Sequence, residues 1–200
     1  MKLLLIADIE QPQFWQPEPE MFDDIDLILS AGDLKPEYLN RLAKAGLASA
    51  RRTYLLCVYG NHDDRCETEL SKDCVCLDGD LLTVKGLRIL GLGGSPRYRP
   101  GPHQYSEEEM CRRIDGLERK IRRSRGVDIV LTHAPPRGFG DTDDPVHSGF
   151  RCFVPLLDQL RPRYLIHGHV HLDQDGEGGR ISRCGETTVI NACGSWLLDL

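Results

Sequence analysis

The sequence predicts an α/β fold in which two mixed β-sheets pack face to face between outer helices, a four-layer α/β/β/α sandwich. Apolar runs that end in polar residues alternate with amphipathic helical segments, as in β-α-β units with buried parallel strands. Hairpin-like segments add more strands than one parallel sheet needs. The 200 residues, 40% of them hydrophobic, fit a single domain over 1–200.

Five apolar runs predict buried parallel strands, because they lack the alternation of a half-exposed strand and end at acidic, amide or histidine residues. They are KLLLIAD (2–8), DLILSAGD (26–33), TYLLCVYGN (53–61), VDIVLTHAP (127–135) and RYLIHGHVH (163–171). The segment 81–94 predicts a hairpin that turns near Lys85 and Gly86. The segment 180–200 predicts further strands that are interrupted by glycines.

Two helices are predicted between the strands. The first begins at Pro36, which suits the first position of a helix, and runs to Arg51 with its leucines on one face. The second follows Ser106, which forms a capping box with Glu109, and ends near Gly126. Acids in its first turn and bases in its last turns complement the helix dipole, so the basic run indicates a helix terminus rather than a nucleic-acid site.

Charge and cysteine content bound the class of protein. A formal net charge of -6 argues against a nonspecific nucleic-acid binder, which needs a basic surface. The apolar run before Asp8 is too short for a signal peptide or a membrane span, so we expect a cytoplasmic protein without membrane attachment. The eight cysteines are then expected to stay reduced. Cys74 and Cys76 form a CxC without a second pair, which gives poor support for a zinc knuckle.

Side chains that ligate metals recur at the ends of the predicted strands. The five blocks are Asp8-Ile9-Glu10, Gly32-Asp33, Gly60-Asn61-His62-Asp63, Thr132-His133-Ala134-Pro135 and Gly168-His169-Val170-His171. Each block alone is more typical of a turn or a helix cap, but independent turns would not be expected to produce this order. Ligands bind at the carboxyl edge of open α/β sheets, and carboxylate, amide and imidazole donors suit divalent metals. The set therefore indicates a metal site.

The five blocks resemble the signature of the calcineurin-like metallophosphoesterases, written DxH, GD, GNH[DE], H and GHxH, over residues 8 to 171. The resemblance implies a metallophosphoesterase-like fold and hydrolysis of a phosphodiester or phosphomonoester by a hydroxide held between two metal ions. Manganese is favoured for both divalent ions, with Fe, Zn²⁺ or Mg²⁺ as alternatives. The expected partner is a small phosphate ester rather than nucleic acid.

The family pattern assigns Asp8, Asp33 and His171 to one ion and Asn61, His133 and His169 to the other, with Asp33 bridging. In the first block Glu10 replaces the usual histidine. As a ligand it would favour Mn²⁺ or Mg²⁺, and the alternatives are that it supports a ligand or binds nothing. The resemblance makes His62 the candidate general acid for the leaving oxygen, with Asp63 as its orienting residue. His167 lies two residues before His169 and so on the same strand face, which leaves a ligand role open, but we expect a buried core histidine.

Two loops are expected to select the substrate, because loops above a rigid scaffold carry specificity. The loop 95–105 combines basic residues, tyrosines and prolines, which suits a clamp for a phosphate or a nucleobase, and an ordinary exposed loop is the alternative. Its basic residues are Arg97, Arg99 and His103. The glycine-rich, acidic loop 137–150 carries His147 and is expected to form a lid.

Two other functions stay open at the level of the sequence. A protein that kept its metals but lost turnover would act as a scaffold for a partner protein. Glu10 is consistent with this, as is Pro36 at the position where many relatives place an acidic partner for His62. The intact GNHD block at 60–63 argues against it, because a scaffold needs no general acid. A nuclease would share the metal chemistry, and the acidic composition argues against that function.

Overall fold

The computed structural model describes residues 1–64, 66–172 and 179–200, with residue 67 described by its backbone alone. The strands are β1 (Lys2–Ala7), β2 (Leu27–Ser30), β3 (Tyr54–Cys57), β4 (Cys74–Cys76), β5 (Asp80–Val84), β6 (Leu87–Leu92), β7 (Ser95–Pro96), β8 (Gln104–Tyr105), β9 (Ile129–Thr132), β10 (Tyr164–His167), β11 (Ile181–Cys184), β12 (Thr187–Asn191) and β13 (Gly194–Asp199). The α-helices are α1 (Pro36–Ala48), α2 (Cys66–Glu69), α3 (Glu107–Ser124) and α4 (Phe153–Leu160), and 3-10 turns cover Pro12–Phe14 and Pro19–Phe22.

Most strands belong to two mixed sheets. The first has the order β13-β1-β2-β3-β4, in which β13 is antiparallel to β1 and the other pairs are parallel. The second has the order β11-β12-β10-β9-β6-β5, in which the outer strands β11 and β5 are antiparallel to their neighbours. The two mixed sheets confirm the predicted fold class.

Buried side chains form three clusters that match the contacts between four layers. The central cluster joins the two sheets, the second joins the first sheet to α1, and the third joins the second sheet to α3 and α4. In β1, Leu3 and Leu5 face the central cluster, whereas Leu4 and Ile6 face the α1 side. Because both faces of the strand are buried, its sequence is continuously apolar.

Helix α1 begins at Pro36, as predicted, and ends at Ala48, before the predicted end at Arg51. Ser49 leaves the helix with an extended ψ of 161°, and its hydroxyl donates to the carbonyl of Gly46 at 2.8 Å. This bond satisfies a carbonyl of the last turn, so the helix closes there.

The predicted turns lie close to their expected positions. Helix α3 ends at Ser124 because Arg125 adopts a left-handed φ of 61°, one residue before the predicted stop at Gly126. The hairpin between β5 and β6 turns at Lys85 and Gly86, with φ of 49° and 86°.

Among the described residues, no helix is long and apolar enough to cross a lipid bilayer.

The N-terminus of α3 is closed by the predicted capping box. The hydroxyl of Ser106 accepts from the backbone N–H of Glu109 at 3.2 Å, and the backbone N–H of Ser106 donates to Glu109 Oε2 at 2.7 Å. Arg97 Nη2 contacts the same carboxylate oxygen at 2.6 Å. The cap therefore also fixes the loop that precedes the helix.

Replacement of Ser106 by alanine is expected to lower the free energy of unfolding by about 1 kcal/mol, because the helix loses its N-cap acceptor. Chemical denaturation measures the loss. Glu118→Ala, at an exposed position in the middle of α3, serves as the control and is expected to change the free energy by about 0.5 kcal/mol or less. Equal losses for the two variants would contradict the assigned role of the cap.

Candidate metal centre

The five blocks meet where the carboxyl ends of β1, β2 and β3 of the first sheet approach those of β9 and β10 of the second. Contacts across the junction join the two sheets. The backbone N–H of His169 donates to Asp8 Oδ1 at 3.0 Å, and His133 Nε2 lies 3.4 Å from Asp33 Oδ2. The site therefore depends on the packing of one sheet against the other.

Three of the predicted ligands have a left-handed backbone. The φ angles are 61° for Asp8, 58° for Asp33 and 66° for His169. A residue with a side chain pays on the order of 1–3 kcal/mol for such a conformation, which persists only where the surrounding structure enforces it. Strain at three neighbouring ligands indicates a functional requirement rather than a packing requirement.

Glycines beside the ligands allow the loops to approach one another closely. A Cβ atom at Gly60 would overlap the carboxylate of Asp33, and a Cβ atom at Gly168 would lie 2.6 Å from Asp8 Oδ2. Glycine at these positions lets the backbone pass directly beside a carboxylate. The Gly-Asn-His and Gly-His motifs therefore have a steric cause.

Asp8, Asp33 and His133 form the densest part of the site, since one donor atom of each lies within 4.8 Å of the others. His133 Nε2 also lies 3.0 Å from Asn61 Oδ1, and the rings of His133 and His169 are 4.9 Å apart between centroids. Asn61, His133 and His169 are at most 4% exposed. Five of the predicted ligands are thus brought together.

Backbone carbonyls fix how the two buried histidines present their ring nitrogens. His133 Nδ1 donates to the carbonyl of Ala31 at 2.7 Å, and His169 Nε2 donates to the carbonyl of Val146 at 2.7 Å. Because a carbonyl oxygen can only accept, these nitrogens carry the hydrogens. His133 Nε2 and His169 Nδ1 are left as the donors for a metal ion, an orientation typical of metal-binding histidines.

The charges of these side chains are strongly coupled. Burial raises the pKa of the Asp8 carboxyl to about 7 against the opposing charge of His133. Burial also disfavours the charged form of Asp33. The charge of His133 and the hydrogen bond from the His62 backbone outweigh this effect and lower the pKa of Asp33 to about 2. Burial disfavours charged His133, yet the Asp33 carboxylate raises its pKa to about 9. Burial lowers the pKa of His169 to about 3.

Tyr98 orients the amide of Asn61. Asn61 Nδ2 donates to the Tyr98 hydroxyl oxygen at 3.1 Å, which leaves Asn61 Oδ1 facing His133. Gln104 fixes the tyrosine in turn, because its side-chain oxygen accepts the backbone N–H groups of Tyr98 and Arg99 at 3.4 and 3.3 Å. The loop predicted to clamp the substrate therefore also supports a predicted metal ligand.

The basic residues of that loop have contacts within the protein. Arg97 Nη2 lies 2.6 Å from Glu109 Oε2, and His103 stacks on Tyr59 with ring centroids 4.7 Å apart. The guanidinium of Arg99 lies 5.4 Å from the centroid of the preceding tyrosine ring. These contacts stabilise the loop, and a role of the three residues in substrate binding stays a prediction.

Glu10 lies beside the ligands but pairs with Lys35. The backbone N–H of Lys35 donates to Glu10 Oε1 at 3.1 Å, and Lys35 Nζ lies 3.3 Å from Glu10 Oε2. Both residues line a cleft of about 590 Å³, together with Asp8, Asp33 and His62. The negative charge of Glu10 is thus compensated in this structure, and its role as a ligand stays a prediction.

His62 is exposed at the cleft, and its backbone N–H donates to Asp33 Oδ1 at 2.8 Å. The carboxylate of Asp63 is bound to the backbone instead, since Asp63 Oδ2 accepts from the N–H groups of Gly60 at 2.7 Å and Asp33 at 2.8 Å. These bonds link the second and third blocks. Asp63 thus connects the loops that carry the predicted ligands, and its role in orienting the His62 ring stays a prediction.

His171 is exposed on the side of the centre where His147 lies. The ring of His147 is 5.4 Å from that of His169 and 6.2 Å from that of His171 between centroids. Asp144 Oδ2 holds His147 Nδ1 at 2.9 Å. The loop predicted to be a lid therefore reaches the centre through the Val146 carbonyl and the His147 ring.

His167 is a core residue, as predicted. It is 1% exposed, and its Nδ1 donates to the carbonyl of Gly168 at 2.9 Å. Burial lowers its pKa to about 4, so the ring is neutral near pH 7.

Several contacts to the predicted ligands could not be, or were not, predicted from the sequence. Ala31 and Val146 act through main-chain carbonyls, which have no side-chain signature. Tyr98 acts across a large sequence separation, and its hydroxyl could belong to any loop. Lys35 had a usable signal, because it lies two positions after Asp33 and carries the charge that complements Glu10.

The donor set fits divalent metal ions. Carboxylate and amide oxygens stand together with imidazole nitrogens whose tautomers are fixed by carbonyls. Burial raises the pKa of the Asp8 carboxyl, and the neighbouring Asp33 carboxylate adds to the rise. A divalent ion would replace the bound protons and satisfy these charges.

The family model for calcineurin-like phosphoesterases matches residues 1–173. The chain belongs to this family. Members bind divalent metals, in agreement with the donors described above. Metallophosphoesterase domain-containing protein 1 from Homo sapiens and that from Mus musculus are each 31% identical over 127 residues, which covers 62% of this chain and 36% of each relative. The chain therefore spans about a third of the length of these curated relatives.

A solved structure supports the fold independently. The crystal structure of TT1561 from Thermus thermophilus is similar with a TM-score of 0.62, covering 96% of this chain and 89% of that chain. Since the sequence identity is 12%, the likeness concerns the fold alone.

Metal binding at pH 7 is expected to release protons, because the free protein holds them on His133, with a pKa of about 9, and partly on Asp8, with a pKa of about 7. Affinity for the metal should therefore fall as the pH is lowered from 9 to 6. Calorimetric titration with Mn²⁺ in two buffers of different ionisation enthalpy counts the protons. Equal heats in both buffers at pH 7 would contradict the expectation.

Proposed function

We propose that this protein is a metal-dependent phosphoric ester hydrolase that uses two divalent ions to cleave a small phosphodiester or phosphomonoester. The observation that carries the proposal is the convergence of Asp8, Asp33, Asn61, His133 and His169 from two sheets of the family fold. Backbone carbonyls already orient the two buried histidine rings for metal binding.

The proposed ligands follow the family pattern. One ion would be held by Asp8, Asp33 and His171, and the other by Asn61, His133 and His169, with Asp33 shared. Manganese is the favoured metal, because the carboxylate of Glu10 would add a hard oxygen donor in place of imidazole, and Fe, Zn²⁺ or Mg²⁺ are alternatives. Bound ions supply charge neutralisation of the phosphate and an activated water.

The residues of the chain supply binding and proton transfer. His62 stands exposed at the cleft and would give a proton to the leaving ester oxygen, for which an imidazole is suited near neutral pH. His147, held through Nδ1 by Asp144, would contact the substrate through Nε2. The cleft of about 590 Å³ lies in the range of small-molecule sites, which supports a small ester as the substrate.

Replacement of Asp33 by asparagine is expected to reduce kcat/KM by about 100-fold or more, because it removes the carboxylate shared by both ions. Asparagine tolerates the left-handed backbone, so the fold should persist. Hydrolysis of p-nitrophenyl phosphate and bis(p-nitrophenyl) phosphate with Mn²⁺ measures the effect. Asp115→Asn, on the exposed surface of α3, is the matched control.

The same assay distinguishes a hydrolase from a metal-binding scaffold without turnover. Near-normal turnover of Asp33→Asn at saturating Mn²⁺ would overturn the assignment of the centre. Tight binding of two ions by the parent protein without turnover of either ester would instead favour a scaffold that acts through a partner protein.

Replacement of Glu10 by histidine is expected to strengthen binding of Zn²⁺ and Fe²⁺ relative to Mn²⁺. Imidazole is a softer donor than carboxylate, and a neutral imidazole forms no ion pair with Lys35. Competition with a coloured chelator measures the three affinities. Glu20→His places an imidazole on the exposed surface and controls for nonspecific binding. An unchanged order of affinities would show that residue 10 is not a ligand.

Replacement of His62 by alanine is expected to slow esters with poor alkoxide leaving groups by about 100-fold or more, the usual range for general acid catalysis. Esters of p-nitrophenol should lose much less, because that oxygen departs without a proton. Metal content, measured by elemental analysis, should stay at the parent level. An equal loss on both substrates, or a loss of metal, would show that His62 positions the site instead.

A further inference from the structure

Four of the eight cysteines lie near one edge of the five-stranded sheet. Cys57 ends β3, Cys74 and Cys76 begin and end the outermost strand β4, and Cys66 lies on α2. Parallel pairing sets Cys57 directly beside Cys76. All eight cysteines lie in the described part of the chain and are free thiols. The CxC motif thus places a thiol against that of the neighbouring strand.

Cys76 is exposed, and several donors surround its sulfur. The thiol of Cys57, the hydroxyl of Tyr59 and the backbone N–H of Asp78 lie beside it and can donate to its thiolate, and the Cys57 Sγ also contacts the carbonyl of Val75 at 3.8 Å. Donors to a sulfur stabilise the thiolate over the thiol. The neighbouring Cys57 thiol has the largest effect and outweighs partial burial, so the pKa of Cys76 falls to about 6.

The pKa values of the neighbouring thiols shift in the opposite direction. The neighbouring Cys76 sulfur, together with burial, raises the pKa of Cys57 well above its usual range. Burial raises the pKa of Cys66 likewise and that of Cys74 to about 11. The edge of the sheet therefore holds one exposed thiolate against a buried thiol that keeps its proton. A reactive thiolate with a second thiol beside it is typical of cysteines that oxidise reversibly.

We propose that Cys76 is an oxidation site for hydroperoxides and that Cys57 resolves the product to a disulfide between β3 and β4. The Cys76 thiolate attacks the terminal peroxide oxygen, the O–O bond breaks, and a sulfenic acid forms as an alkoxide leaves, or hydroxide in the case of hydrogen peroxide. The Cys57 sulfur then attacks the Cys76 sulfur, and the S–S bond forms as the sulfenic hydroxyl leaves with the Cys57 proton as water. Two thiols are oxidised and one peroxide is reduced by two electrons.

The sheet geometry permits this disulfide. Adjacent strands lie about 4.8 Å apart, and disulfides join Cα atoms separated by roughly 4.4 to 6.8 Å. Directly paired residues such as Cys57 and Cys76 therefore fall within reach after a small local adjustment. Neither residue is a proposed metal ligand, so the reaction is independent of the phosphoesterase activity and proceeds in metal-free protein.

A second pair of cysteines provides a matched control. Cys111 and Cys152 offer sulfur atoms within 4.8 Å of each other and of the Glu107 carboxylate. Burial and that carboxylate raise the pKa of Cys152, which keeps its thiol protonated. Proximity of two thiols is therefore common to both pairs, whereas the donors that stabilise a thiolate surround Cys76.

Oxidation of the chelator-treated protein with one equivalent of hydrogen peroxide, followed by peptide mapping, tests the proposal. The parent should form the Cys57–Cys76 disulfide. Cys57→Ser should accumulate a sulfenic acid at Cys76 that dimedone traps, and Cys76→Ser should give neither product. Modification of Cys111 or Cys152 before Cys76 would overturn the proposal.

The pH dependence of alkylation by iodoacetamide provides a second test that needs no variant. The midpoint at Cys76 in the parent protein should lie near pH 6. In Cys57→Ala, checked for folding by circular dichroism, it should rise by about one unit or more, because the main donor is lost. A parent midpoint near the ordinary thiol value of about 8.5 would overturn the proposal.

Discussion

The crowding of Asp8, Asp33 and Asp63 at the junction of two sheets is the constraint on which the centre depends. Their carboxylates repel one another and have lost much of their hydration. His133 offsets part of this cost through its charge beside Asp33, and backbone N–H groups donate to all three carboxylates. Divalent cations would complete the compensation, so the fold concentrates negative charge where the proposed chemistry needs cations.

Because the carboxylates are crowded, the loops that carry them are joined by hydrogen bonds to one another. The loop after β10 donates to Asp8, and the loop after β3 donates to Asp33. Asp63, from that same loop, accepts from the backbone of Asp33 in return. Asp8 and Asp33 are therefore each held by a loop that carries another proposed ligand, and substitutions at these positions should be strongly non-additive.

The elements that the sequence predicts well depend on local physics. The continuous apolar run of β1 reflects burial on both faces, and the capping box of Ser106 is a contact within one helical turn. The ligand blocks were found because their order along the chain is specific. The backbone partners of Asp63 and the pairing of Glu10 with Lys35 could not be read in this way, because side-chain type alone does not reveal contacts between separate loops.

The left-handed backbone at Asp8, Asp33 and His169 lowers the thermal stability of the protein at the positions of the proposed metal ligands. Glycine adopts this conformation readily, so a metal-free protein would relieve strain by accepting glycine at these positions. Evolution in the laboratory that rewards heat resistance alone would therefore erode the ligands early and leave the sandwich intact. Retention of aspartate and histidine at the three positions in a thermally selected lineage would mark continued selection for chemistry.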